Sequence, residues 1–353
     1  MRTWPVQRDP APMPDSSRLS SAADLLHRWL PVGSSSLLLN TREPDVAAAV
    51  QARQAEPAPL HCHFAAEASA VHDQLGLPAL TFPQVPAQPP ERVIWAWPKA
   101  KAEADMLLAW LAAWLPASGE LWLSGDNRAG IRSAPRFLTQ RGWTVRKVGS
   151  ARHAALLRAQ PPTEAHSFSL DTYWQTVSVP EAENRLLCSL PGVFSHGRID
   201  RGSQYLLPLL ADLQGPVLDF GCGAGLLSLV VQALHPEAAI TAVDNHWLAI
   251  LSSRETARRN GWQWDLHWQD GLGDLQGPFA TLVTNPPFHT GLDVQYDTTH
   301  DLIARSRHLL QPGGRWLAVV NDHLPYRDWL LQHLGAVECL RHEGGFRVWS
   351  ATV

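Results

Sequence analysis

The ten residues Val217-Leu218-Asp219-Phe220-Gly221-Cys222-Gly223-Ala224-Gly225-Leu226 decide the fold of this chain. Val217 to Phe220 is a short apolar run and reads as a buried strand, and Leu226 to Leu234 is apolar enough for a buried helix. Between them, closely spaced glycines let the backbone turn tightly and approach a ligand at the helix N-terminus. The spacing is G-x-G-x-G rather than the G-x-G-x-x-G of dinucleotide folds, and Asp219 stands where those folds usually place an apolar residue. An acid there suits an ammonium group better than a pyrophosphate.

Outward from this turn, apolar runs alternate with helical patterns. Ala239 to Val243 reads as a strand, Trp247 to Asn260 as a helix stopped by Gly261, and Ala280 to Thr284 as the next strand. His300 to Leu310 reads as a helix ended by Pro312-Gly313-Gly314, Arg315 to Val320 as a strand, and Ala336 to Val353 as two short strands about Glu343-Gly344-Gly345. Such alternation predicts βαβ units on a largely parallel sheet, an α/β doubly wound domain.

The first half repeats this order in a degenerate form. Val93 to Ala96 ends in Trp97-Pro98, Ala104 to Leu115 reads as a helix, Pro116 to Gly119 stops it, and Leu121-Trp122-Leu123 runs into Asp126-Asn127. Counted from Gly119 and from Gly314, the polar pairs Asp126-Asn127 and Asn321-Asp322 fall at the same offsets, which points to internal duplication. The strand Ser36 to Asn40 is followed by Thr41-Arg42-Glu43-Pro44 with no glycines, so this copy cannot make the same cofactor loop. Two tandem Rossmann-like domains follow, the N-terminal one degenerate: a disordered tail over 1–20, a substrate-binding or stabilising domain over 21–160, a proline-bearing linker over 161–190, and a catalytic domain over 191–353.

Composition narrows the class. The 353 residues suffice for two cores, and 45% hydrophobic with 18% charged residues is an ordinary globular balance. A net charge of −4 argues against coating nucleic acid by bulk charge, so any such contact has to be local. Cys62, Cys188, Cys222 and Cys339 form no C-x-x-C pair, and the apolar run Met106 to Leu115 is too short to span a bilayer. A cytoplasmic protein with no membrane partner is expected. His61-Cys62-His63 lacks accompanying metal-ligand spacing and reads as alternating strand faces, so no metal is expected.

Two further acids are in register with the glycine turn. Asp244, 25 residues after Asp219, ends the second strand, where a carboxylate accepts both hydroxyls of a ribose, and Asp270 ends the third candidate strand where an adenine amine would sit. Strand-end acids also cap following helices. Asp219, Gly221, Gly223, Gly225, Asp244 and Asp270 together fit S-adenosyl-L-methionine. Asn285-Pro286-Pro287-Phe288 follows the next strand. An exocyclic purine amine is a poor nucleophile because its lone pair is conjugated with the ring. The Asn285 side-chain oxygen and the Pro286 carbonyl, aimed at its two N–H bonds, favour the pyramidal nitrogen that attacks. Pro287 stiffens the turn, and Phe288 is placed to stack on a base drawn out of its helix. Upstream, Pro191 to Ser195 with Asp200 and Gly202-Ser203-Gln204 either folds over the cofactor or is an approach loop with a helix N-cap at Ser203. Between Asn127 and Thr163 there are eight basic residues and no Asp or Glu, among them Arg128, Arg132, Arg136 and Arg141, a candidate phosphate-binding surface.

Over nearly its whole length the sequence resembles the small-subunit ribosomal RNA guanine-N2 methyltransferases of the RsmC type. The resemblance is carried by Trp97-Pro98-Lys99, Gly125 to Ala134, Leu190-Pro191-Gly192-Val193-Phe194-Ser195, Val217 to Gly225 and Asn285-Pro286-Pro287-Phe288-His289. It implies two class I methyltransferase-like domains, the first having lost its cofactor site, and methylation of one guanine in 16S ribosomal RNA, in the 30S subunit, by a chain expected to be monomeric. The N-P-P motif equally serves glutamine-N5 and adenine-N6 enzymes, the large-subunit guanine-N2 methyltransferases share the duplicated plan, and a non-enzymatic RNA-binding role is the alternative of another class.

Overall fold

Buried on both faces, the apolar runs at Ser36, Arg92, Val217 and Phe279 became the central strands of two separate sheets. The computed structural model describes all residues except 1–19, 42, 55–57, 66–68, 70–78, 165, 287–291 and 323–324; the tail expected over 1–20 lies almost wholly outside them. The chain divides into two units at Phe168, and a short stretch beginning at His63 goes with the second.

The first unit contains α1 (Ser21–Trp29), β1 (Ser36–Leu39), α2 (Pro44–Gln51), β2 (Leu60–His61), β3 (Ala79–Leu80), β4 (Arg92–Ala96), α3 (Lys101–Trp114) and β5 (Glu120–Asp126). A 3₁₀ turn (Ile131–Ser133), α4 (Ala134–Thr139), β6 (Thr144–Ala151) and β7 (Ala154–Gln160) complete it. The sheet order is β3-β2-β1-β4-β5-β7-β6, with β7 antiparallel to both neighbours. The β6–β7 hairpin was not foreseen, because β6 is a half-exposed edge strand without an apolar run. The alternation expected at His61-Cys62-His63 is not realised: β2 ends at His61, and all three residues are buried.

The second unit contains β8 (Gln175–Val179), β9 (Arg185–Ser189), α5 (Arg201–Leu206), β10 (Val217–Phe220), α6 (Leu226–Leu234), β11 (Ile240–Asp244), α7 (Trp247–Arg259) and β12 (Asp265–Trp268). There follow β13 (Phe279–Thr284), α8 (Leu292–Leu309), β14 (Leu310–Asn321), α9 (Tyr326–His333), β15 (Val337–Glu343) and β16 (Phe346–Thr352). Its sheet order, β12-β11-β10-β13-β14-β16-β15, repeats that of the first sheet strand for strand. Residues 161–190 are thus more than a linker. They hold the antiparallel hairpin β8–β9, tied to α7 by Cys188 N–H to Thr256 Oγ1 at 3.0 Å and by Asn260 Nδ2 to Leu186 O at 2.8 Å. Pro312-Gly313-Gly314, expected to stop a helix, lies inside β14. The partners of β13 jump from Leu310 to Arg315, so the three residues are absorbed as an irregularity within the strand.

Leu218, Leu282, Ile303, Trp316, Tyr326 and Leu330 form the core against β10, β13 and β14. An apolar side chain there contributes about 1.5–3 kcal/mol by burial, whereas an ionised carboxylate costs several kcal/mol to desolvate. Asp219, on β10 and 0% exposed, is therefore kept against the interest of the core.

Candidate functional site

The glycine turn is fastened from below. Gly221 N–H and Cys222 N–H both donate to Val243 O, at 2.8 and 3.0 Å, Gly225 N–H donates to Cys222 O at 2.8 Å, and Gly223 N–H donates to Asp244 Oδ2 at 2.9 Å. Gly225, at φ +83°, delivers the chain into α6; a Cβ there would lie 2.6 Å from the Trp264 ring and 3.0 Å from Ser253 Oγ. No other residue type satisfies both demands.

Asp219 divides its work between its two oxygens. Oδ2 accepts from Ser228 N–H at 3.1 Å and from the Ser228 hydroxyl at 2.6 Å, supplying the cap that Gly225 cannot give α6. Oδ1 is buried and has no partner among the described residues. Burial pushes the Asp219 carboxyl up to about 6; the two Ser228 bonds work against this, and the Asp244 charge adds to it. A buried carboxylate oxygen left unpaired among the described residues, beside a glycine turn held in place by its own backbone bonds, suits a cationic ligand group, so the residues present fit the ammonium of S-adenosylmethionine.

Asp244 closes β11. Its Oδ1 accepts from His246 N–H at 2.8 Å while Oδ2 holds Gly223, and burial raises its carboxyl while these backbone bonds lower it. Each oxygen keeps a lone pair for a hydroxyl. Beyond β12, Gln269 N–H donates to Asp244 O at 3.2 Å, which brings the exposed Asp270 to the same end of the sheet. The Cys222 thiol, in the turn itself, is pushed well up by burial and by the charges of Asp244 and Asp219, and stays protonated.

At the end of β13, Thr284 Oγ1 donates to Phe220 O at 2.8 Å and ties this strand end to the start of the glycine turn. The next residue, Asn285, donates through Nδ2 to Asp200 Oδ2 at 3.0 Å and to Ser203 Oγ at 2.9 Å. Pro286 is buried; Pro287 and Phe288 lie outside the described residues. The helix N-cap expected at Ser203 is instead Asp200, whose Oδ2 accepts from Ser203 N–H at 2.9 Å, because Ser203 already lies at the third helical position.

Three residues of α7 and α6 escaped the sequence reading. Ser253 Oγ donates to Gly223 O at 3.1 Å, Thr256 Oγ1 donates to Ala224 O at 2.9 Å, and Ser228 has been described above. Their signal was small hydroxyls on helix faces that are otherwise apolar, where an unbonded hydroxyl would be costly.

In the first unit, Arg128, Arg132 and Arg136 are exposed and make no ion pair among the described residues. Arg141 differs: it pairs with Asp105, donates to Phe137 O and lies 3.5 Å from the centre of the Phe137 ring. Arg158, at the end of the same basic stretch, is paired with Glu120.

Residues 184–350 match the family model "Methyltransferase small domain", and residues 26–177 match "Methyltransferase small domain N-terminal". Proteins named ribosomal RNA small subunit methyltransferase C are similar in sequence. That of Pseudomonas paraeruginosa is 41% identical over 72% of this chain and 76% of its own, and that of Hahella chejuensis 35% identical over 72% and 75%. Among solved structures, the 16S rRNA N2 G1207 methyltransferase of T. thermophilus, in complex with AdoMet and guanosine, superposes with a TM-score of 0.80 at 24% identity, covering 96% of this chain and 93% of that one.

Proposed function

The chain belongs to the ribosomal RNA small subunit methyltransferase C family, and on that premise we propose that its second unit moves a methyl group from S-adenosylmethionine to the exocyclic N2 amine of a guanine in 16S ribosomal RNA. It is an rRNA (guanine-N2)-methyltransferase. The observation that supports the site assignment is the buried Asp219 Oδ1, unpartnered among the described residues, at the strand end that also carries the glycine turn.

Asp219 is assigned to the cofactor ammonium, Asp244 to the ribose hydroxyls, Gly221, Gly223 and Gly225 to the backbone surface against which the cofactor lies, and Asp270 to the adenine end. The cofactor supplies an electrophilic methyl group on a sulfonium. Asn285 Oδ1 and the Pro286 carbonyl accept the two N–H bonds of the target amine, so that its lone pair leaves the ring plane and faces the methyl group. The methylated nitrogen is cationic and sheds its proton readily, so no strong base is required. Pro287 and Phe288 are assigned to turn stiffness and base stacking. The first unit is assigned to gripping RNA, with Arg128, Arg132 and Arg136 as its phosphate contacts and Arg141 demoted by its pairing with Asp105. The protein is proposed to act as a metal-free monomer on the 30S subunit; among the described residues no helix is long and apolar enough to cross a membrane.

The experiment is methyl transfer to 30S subunits from a strain lacking this gene, with mapping of the modified nucleotide; G1207, the position named for the T. thermophilus protein, is the first to inspect. Asn285→Ala is expected to lower kcat by roughly a hundredfold or more, the scale of losing one transition-state hydrogen bond, and to leave cofactor affinity unchanged. Methylation by Asn285→Ala at the unaltered rate rejects the amine-orienting role.

A further inference from the structure

We propose that Asp200 and Ser203 act as positioning residues that fix which way round the Asn285 amide stands; this rests on the reading of Asn285 as the acceptor for the target amine. An asparagine amide presents an oxygen on one side and an NH₂ on the other, and little besides its partners decides between the two orientations. Only the oxygen can accept from the target amine. Turned the other way, the amide offers N–H to N–H and repels it.

The structure supplies the deciding partner. An ionised carboxylate is an acceptor only, so Asp200 Oδ2, 3.0 Å from the amide, admits the NH₂ and rejects the oxygen. Ser203 Oγ takes the second position at 2.9 Å. With Nδ2 engaged twice, Oδ1 is left as the amide's remaining hydrogen-bonding atom, and it has no partner among the described residues.

The clamp is itself held rigidly. Asp200 Oδ2 simultaneously caps α5 through Ser203 N–H at 2.9 Å, and Ser203 is 4% exposed. Gly202 lets α5 come this close: a Cβ there would meet the Phe346 ring at 2.9 Å and Asp200 Oδ2 at 3.0 Å. Asp200, Gly202 and Ser203 thus form one device, 82 and more residues from Asn285 along the chain.

Capping and clamping make different demands at position 200, and this separates them. Asn, Asp and Ser cap helices almost equally well, but the short side chain of Ser cannot reach Asn285, whereas Asn still offers an oxygen to it. If Asp200 only caps α5, Asp200→Asn and Asp200→Ser behave alike and close to the unaltered protein. If it clamps Asn285, Asp200→Ser is expected to lower kcat by roughly ten- to hundredfold, the scale of a misplaced reacting group. Asp200→Asn should stay within about threefold, since only the charge assistance is lost. KM for 30S subunits, cofactor affinity by calorimetry and Tm should stay near those of the unaltered protein in both. Ser203→Ala, which leaves the backbone cap intact, should lower kcat in the same sense.

A double-mutant cycle completes the test. In an Asn285→Ala background the Asp200→Ser substitution should cost almost nothing further, because the group it positions is gone. If the two losses multiply, or if Asp200→Ser weakens cofactor binding as much as turnover, the clamp is overturned. If Asn285→Ala itself methylates at the unaltered rate, the reading of Asn285 fails and the clamp falls with it. If Asn285→Ala is slow while both Asp200 variants are normal, the clamp alone is rejected.

Discussion

Asp219 concentrates the conflict between stability and function in one side chain. Its carboxyl, raised to about 6 by burial, must be ionised to attract an ammonium group. The raised value means that the folded, unliganded protein binds this proton more tightly than the unfolded chain does. The group's contribution to stability is therefore full below its ordinary value of 3.8 and is lost as pH rises through 6. Cofactor binding runs the opposite way. Affinity measured by calorimetry is expected to be level above pH 7 and to fall towards tenfold per pH unit below about 6, and Asp219→Asn should bind weakly with no such slope. A level affinity down to pH 5 would reject the assignment. The acid itself was legible, since an Asp inside an apolar strand before glycines breaks the pattern of its surroundings. The idle oxygen was not, because which lone pairs Ser228 takes is a matter of geometry. Nor was the partner of Asn285, as a hydrogen bond across 85 residues leaves no periodicity to read.

At the scale of elements, the central strands of the second unit were legible because strands covered on both faces are nearly continuous apolar runs. The hairpins β6–β7 and β8–β9 were not: edge strands with polar alternation resemble loops until a partner is known. The Pro-Gly-Gly reading held for the helix, which ends at Leu309, but it did not foresee that the three residues lie within the next strand. These residues do stop a helix, but they equally suit a bulge, and only pairing with β13 distinguishes the two. Within the candidate site, the junction of the glycine turn with α6 is open to a single change. Gly225→Ala imposes a left-handed conformation on a residue with a side chain and drives a methyl into Trp264 and Ser253. A loss of about 2–5 kcal/mol is expected, read as a Tm lowered by roughly 5–15 °C, together with loss of cofactor binding. An unchanged melting curve would mean that Trp264 moves aside freely.

For the whole molecule, the repeated strand order makes the difference between the units instructive. Equal offsets after Gly119 and Gly314 made the duplication legible, and the same comparison showed where the copies part, at the turn after the first strand. In the first unit that turn begins with Asn40, buried and at φ +48°, followed by buried Thr41, and it has no glycine. Titration is accordingly expected to find one cofactor site per chain, removed by Asp244→Ala; a second site would mean that the first unit binds without the turn. Replacing Arg128, Arg132 and Arg136 with Glu should weaken 30S binding, flatten its salt dependence and spare cofactor affinity. If binding and its salt slope are unchanged, the first unit serves the second in another way. The division of labour at the catalytic end has a last consequence. On the assignments proposed above, Asp219 and Asp244 would grip an amine and a ribose, two parts of the donor that methyl transfer leaves untouched, so the spent donor would fit the same grip as the fresh one. The rate of ribosome modification is then set by how quickly the cell clears its used methyl carrier as much as by how much fresh carrier it holds.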